Sequence, residues 1–182
     1  RMGKLKSTYT DALNKKAVRE FLLQKFQFEQ VVGLAGPDIN EYISYLKNKG
    51  CKSFEIYEKD MPTLVKQLST IKEDAVHLKY DDILNADAKK ENTLYDLDFC
   101  VSTRFMKEYI AKFTDNFIMT FSTRIGVQET IERFFSARNE HISESVDYTH
   151  PINHTIFKTK ENNNYLFTKY YDTSAMCCFA KI

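Results

Sequence analysis

The sequence predicts an α/β domain in which helices flank a mostly parallel central sheet and the chain closes in an antiparallel hairpin. Three observations carry this. Short apolar runs of strand length alternate with amphipathic helical segments between residues 28 and 137. The first two runs, Val31-Val32-Gly33-Leu34 and Phe54-Glu55-Ile56-Tyr57, are separated by a glycine turn and one helix, the connection a parallel pair needs. Beyond residue 150 the pattern changes: residues 155–160 and 165–171 flank the turn Glu161-Asn162-Asn163-Asn164, which reads as a hairpin.

The elements follow in order. Residues 8–26 form an amphipathic leading helix, with Leu13, Val18, Phe21, Leu22 and Phe26 near helical spacing and Thr10 or Asp11 placed to cap it. After the first strand, Ala35-Gly36-Pro37-Asp38 turns the backbone with little side-chain bulk, so a ligand can lie against the main chain. Asp38 and Glu41 have capping-box spacing, and Ile39, Tyr42, Ile43 and Leu46 continue a helix that Lys49-Gly50 closes. The second strand ends at Glu58. Pro62 starts another helix, whose Leu64, Val65 and Leu68 lie on one side. Val76-His77-Leu78-Lys79-Tyr80 alternates as a third strand ending at Asp81-Asp82, and residues 86–92 are a polar loop or short helix. A fourth strand at 94–101, a helix at 105–113, a fifth strand at 116–121 and a helix at 127–137 continue the alternation. Residues 175–182 either extend the hairpin beyond a bend or form a separate short strand.

At 182 residues and 43% hydrophobic, the chain suffices for one well-packed domain, residues 1–182, and is short for two. Within it lie the leading helix at 8–26, an α/β core at 28–137 and a hairpin region at 150–182. A balance of 26 basic and 25 acidic residues gives no global field toward nucleic acid or membrane, so any such contact must be local. Lys15, Lys16, Arg19 and Lys25 of the basic amino end read as a solvated face. No run approaches the roughly 18 apolar residues of a membrane span. Cys51, Cys100, Cys177 and Cys178 lack metal-like spacing, which points to reduced thiols and a cytoplasmic setting. His150 and His154 are four apart, but Pro151 between them speaks against a shared helical face, and no metal is expected.

An acidic residue roughly 20 positions after a glycine turn stands where a ribose presents its hydroxyls, since a carboxylate can accept both hydrogen bonds. Glu58 occupies that place. With the turn, the acid and the terminal hairpin together, the chain resembles the class I S-adenosylmethionine-dependent methyltransferases, whose Rossmann-like sheet ends in an antiparallel hairpin. The resemblance implies S-adenosylmethionine as cofactor. It places Gly33, Leu34, Ala35, Gly36 and Pro37 under the methionine part and Glu58 at the ribose. Asp82 falls at the adenine amino group with Ile83 beside it, and Asp81 is the near alternative. The loop after the fourth strand, carrying Asp96, Asp98, Phe99 and Cys100, borders methyl donor and acceptor. Asp98 would orient an exocyclic amine of a nucleic-acid base while Phe99 stacks on it. The bland reading of Asp98 is a helix cap or an internal salt bridge. Cys100 as a covalent nucleophile competes with its reading as a small apolar residue.

The chain departs from the family in having Val32 where the first strand usually carries an acid, and in lacking the prolines that commonly follow Asp98. A second reading therefore stands beside the enzyme: a methyltransferase-like fold without catalysis, serving as a binding or scaffold subunit. A nicotinamide dehydrogenase is the weakest reading, because Ala35 and Asp38 stand where its fingerprint needs glycine. One compact domain also leaves little room for a separate target-recognition domain, so substrate specificity would need a partner subunit, an oligomer or a simple substrate.

Overall fold

The computed structural model describes residues 13–170 and 175–182, with side chains from residue 15 onward; the proposed caps Thr10 and Asp11 lie outside the described residues. Five helices, α1 (Leu13–Leu23), α2 (Ile39–Lys47), α3 (Met61–Thr70), α4 (Lys107–Lys112) and α5 (Val127–Ala137), surround one sheet. Its strands are β1 (Gln30–Gly33), β2 (Ser53–Glu58), β3 (Val76–Tyr80), β4 (Thr93–Ser102), β5 (Phe117–Ser122), β6 (Ile142–Tyr148), β7 (His154–Thr159), β8 (Asn164–Tyr170) and β9 (Met176–Lys181). They lie in the order β3-β2-β1-β4-β5-β9-β8-β7-β6. The first five pair in parallel and the rest antiparallel. The predicted α/β class and the terminal hairpin are both present.

β1 explains why this sheet needs two helical layers. Val31 faces a cluster built with Val18 and Leu22 of α1 and Ile43 and Leu46 of α2. Val32 faces the opposite cluster, with Ile110 of α4 and Ile131, Phe134 and Phe135 of α5. All six residues of β5 are buried, as befits a strand in the middle of a sheet that is covered on both faces. On the α5 side the core is aromatic: Phe134 lies flat on Phe179 of β9, centroids 3.9 Å apart, and meets Tyr165 of β8 edge-on at 5.7 Å. The carboxyl-terminal strands therefore complete the main core.

Of the two readings left open for the last residues, the separate strand is the one present: residues 176–181 are inserted between β5 and β8. Three details differ from the sequence reading. β6 was not expected, because all seven of its residues are exposed and no buried face marks it; its pairing with β7 alone defines it. Asp38 makes no side-chain capping bond, and α2 starts instead with the Asp38 carbonyl accepting from the Tyr42 amide at 3.3 Å. On α3, Leu64 is buried but Val65 and Leu68 are 56% and 57% exposed, and the second inward residue is Gln67. Asp60 caps that helix, accepting from the Thr63 amide at 3.0 Å.

Candidate functional site

Strand register brings the residues singled out above to one edge. Gly33 at the end of β1 lies beside Ile56 of β2 and Asp96 of β4, and Glu58 lies beside Tyr80, which Asp81 and Asp82 follow. Because β1 has β2 on one side and β4 on the other, the strand order reverses here. A crevice opens outside the carboxyl ends at such a point.

The turn has a closed side and an open side. A Cβ at Gly33 would meet the Tyr42 hydroxyl at 2.7 Å and the Asp96 carbonyl at 2.8 Å, so glycine is required by packing. Gly36 has φ +66° and nothing within 4 Å of where a Cβ would stand. Its carbonyl accepts from Gln67 Nε2 at 2.7 Å, which fixes the turn from the α3 side. Leu34, Ala35 and Pro37 are half-buried alongside.

Glu58 is half-buried at the carboxyl end of β2. Its Oε1 accepts from the Asp60 amide at 2.8 Å, while Oε2 has no partner among the described residues. Asp82 is more occupied: one oxygen accepts from the Leu84 amide at 3.0 Å, the other from the Tyr109 hydroxyl at 2.5 Å and from Lys59 Nζ at 3.5 Å. Burial alone would raise its pKa, but these donors together hold it below the ordinary carboxylate range. Asp81 is exposed and accepts from the Asp82 amide and Asn85 Nδ2, both at 2.8 Å. Ile83, at 2% exposure, is part of the core.

Toward its carboxyl end β4 bulges: Asp98 pairs with Thr120 and Ser102 with Ser122, so four steps of β4 oppose two of β5. The excess bows out Phe99, Cys100 and Val101. Phe99 packs edge-on against Tyr109 at 5.3 Å and leans on Phe121 at 5.6 Å. Asp98 accepts from Lys15 Nζ at 3.1 Å and from the Cys100 thiol at 2.9 Å. Desolvation pulls its pKa up, yet the Lys15 ammonium and the thiol bring it below its ordinary value, so Asp98 is ionised at neutral pH. Desolvation and the Asp98 charge push the Cys100 thiol well up, which disfavours the thiolate a nucleophile needs. Asp96, 1% exposed, pairs with the Arg19 guanidinium and accepts from the Tyr42 hydroxyl at 3.0 Å.

Sequence reasoning missed Lys15 and Arg19, which it placed on a solvated face. Arg19 is fully buried. The signal was its position next to Val18 and three before Leu22, on the apolar side of α1. Tyr42 and Tyr109 were missed as polar members because each sits in a helical apolar pattern. Among the described residues no three of His, Cys, Asp and Glu come together as metal ligands. No helix among them is long and apolar enough to cross a membrane.

No protein-family model and no curated protein matches the chain. Solved structures share its fold. An S-adenosylmethionine-dependent O-methyltransferase from Thermotoga maritima superposes with a TM-score of 0.56, at 10% identity over 97% of this chain and 68% of that one. An S-adenosylmethionine-dependent methyltransferase from Mesorhizobium loti gives 0.53, at 8% identity over 96% and 100% of the two chains. A transfer-RNA methyltransferase from Aquifex aeolicus gives 0.50, at 11% identity over 91% and 68%. The sheet and its helices thus share the Rossmann-like fold of these solved structures, at 8–11% sequence identity.

Proposed function

We propose that this chain is an S-adenosylmethionine-dependent methyltransferase acting on an amino group of a nucleic-acid base. The observation that carries the reading is the pairing of an open glycine turn with the free Oε2 of Glu58, both at the carboxyl ends of the strands where strand order reverses. Gly33 to Pro37 would carry the methionine part, Glu58 the ribose hydroxyls, and Asp82 or Asp81 the adenine amino group. The cofactor, when bound, supplies a methyl group already electrophilic on a sulfonium. The protein's share is to hold an acceptor in line and keep water out. Asp98, kept ionised by Lys15, accepts a hydrogen bond from an acceptor N–H and so directs the nitrogen lone pair. Phe99, braced by Tyr109, offers a ring for stacking. All four cysteines are free thiols, in keeping with a reducing, cytoplasmic setting.

Glu58→Ala is expected to weaken S-adenosylmethionine binding by about 1–3 kcal/mol, through loss of hydrogen bonds to a charged acceptor. Calorimetry of the two proteins with S-adenosylmethionine and S-adenosylhomocysteine checks it. Equal affinity in a folded variant removes Glu58 from the site.

The second reading, a methyltransferase-like binding or scaffold subunit without turnover, has its own support: Asp96 and Asp98 are already paired with α1 cations. Labelled methyl transfer to RNA and DNA pools separates the two. Cofactor binding with no transfer to any pool favours the subunit.

A further inference from the structure

Two neighbouring parallel strands end in the same way. β4 runs out in Ser102-Thr103-Arg104 and β5 in Ser122-Thr123-Arg124, and the two serines are partners in register. Each serine Oγ accepts from the amide of its arginine, at 3.1 and 3.3 Å. Each threonine carbonyl accepts from the amide three residues on, that of Met106 at 3.1 Å and that of Gly126 at 2.8 Å. In both turns the threonine is buried and the arginine exposed. One local fold, repeated on adjacent strands about 4.8 Å apart, therefore sets two arginines side by side at the carboxyl edge of the sheet. Phe105 follows the first of them and, at 73%, is the most exposed large hydrophobic residue among those described.

Neighbouring cations repel unless an anion lies with them. Arg104 meets the Glu129 carboxylate of α5 at 3.2 Å, which Arg133 shares at 2.8 Å, while Arg124 has no ion pair among the described residues. The Arg104 pair is half-exposed, and an exposed pair is worth little, so an incoming anion exchanges with it at small cost. The register pair Asp98 and Thr120 lies two residues of β5 before the serines, about 7 Å away and within the reach of one nucleotide. We infer that Arg104 and Arg124 clamp a backbone phosphate of a single-stranded nucleic acid, with Phe105 stacking on a base next to the one presented to Asp98. Guanidinium forks match phosphate oxygens, and an exposed ring stacks only on a base that has left its own stack, which a single strand offers and a duplex does not. The inference rests on the nucleic-acid reading of the acceptor given above, and not on turnover.

Fluorescence anisotropy of the whole chain with a labelled RNA single strand of about 12 nucleotides, and with the same sequence as a duplex, tests this without cofactor. The titration is run from about 50 mM to about 200 mM salt. The expected result is salt-dependent binding that favours the single strand. Arg104→Gln and Arg124→Gln should each weaken it roughly tenfold and make the plot of log affinity against log salt shallower, by about 0.7 for a lost phosphate contact. Phe105→Ala should weaken it by about tenfold and leave the salt slope unchanged, because stacking releases no counterion. Lys52→Gln, an exposed cation at the opposite edge of the sheet, should change neither. All of these side chains are exposed, so circular dichroism should be the same throughout. No binding at low salt, tighter binding to the duplex, or an Arg124→Gln protein that keeps both affinity and slope overturns the inference. Binding with the expected slopes but no methyl transfer upholds it and removes turnover alone; methyl transfer to a small amine without strand binding overturns it and leaves the cofactor reading standing.

Discussion

Replacing Arg19 with alanine should destabilise the fold by about 3–5 kcal/mol, the cost of leaving a buried carboxylate without its cation. Arg19 and Asp96 are 0% and 1% exposed, and what remains around the Asp96 carboxylate includes the neutral Tyr42 hydroxyl at 3.0 Å. A loss of that size is a large part of a typical domain stability of about 5–15 kcal/mol. Urea denaturation measures it. If the cost arises from the stranded charge, the double variant Arg19→Met with Asp96→Leu should recover part of the loss, which a packing account does not predict. A shift below ~1 kcal/mol for Arg19→Ala would mean that the ion pair is not what fastens α1 to the sheet.

That pair also bears on the site. Lys15 and Arg19 are four apart on α1, so one face of the helix delivers both cations to β4, Lys15 to Asp98 and Arg19 to Asp96. The contacts differ in kind. Lys15 is 13% exposed and ends at the bulge, where a ligand could exchange with it, whereas the Arg19 contact is wholly inside. The buried pair thus reads as an anchor, and the outer one as the means by which Asp98 is kept ionised.

The front of the fold was legible because its signals are local. Val31-Val32-Gly33, the turn and the spacing to Glu58 all lie within one crossover, and each local preference agrees with the sheet that forms. Arg19 was not legible. Its partner lies 77 positions away, and a cation on an amphipathic helix is usually a solvated one. Val65 and Leu68 misled for the opposite reason: helical periodicity reports that a stripe exists, not whether this chain or another covers it. β6 carries no buried face to report, and its strand state comes from β7 alone. At the candidate site, position in the chain picks out the acids, whereas the charged and phenolic donors to Asp82, Asp96 and Asp98, namely Lys59, Tyr109, Arg19, Tyr42 and Lys15, come from elements that spacing does not connect to them.

Acid should weaken the fold through Glu55. This residue of β2 is 7% exposed and accepts from Lys90 Nζ at 2.6 Å and Tyr57 Oη at 2.6 Å, with Lys79 Nζ at 3.1 Å. Burial works to raise its pKa; the two ammonium groups and the phenol outweigh it and bring it down to about 2. A carboxylate whose pKa is lower folded than unfolded contributes stability that is complete above its unfolded value, near 4.3, and is lost as pH falls toward the folded value. At about 1.4 kcal/mol per unit the contribution is of order 3 kcal/mol. Glu55→Gln should therefore lower the urea midpoint at pH 7, and the gap to the unmodified protein should close between about pH 4.5 and pH 2. A gap that stays constant over that window would assign the acid sensitivity to other held carboxylates, such as Glu140 beside Arg138 and Tyr165. The consequence reaches the candidate site, because Glu58 stands three residues beyond Glu55 on the same strand. A β2 loosened at Glu55 carries the candidate ribose acid with it, so under the proposed function the affinity for S-adenosylmethionine should fall in Glu55→Gln although Glu55 is not itself one of the proposed binding residues.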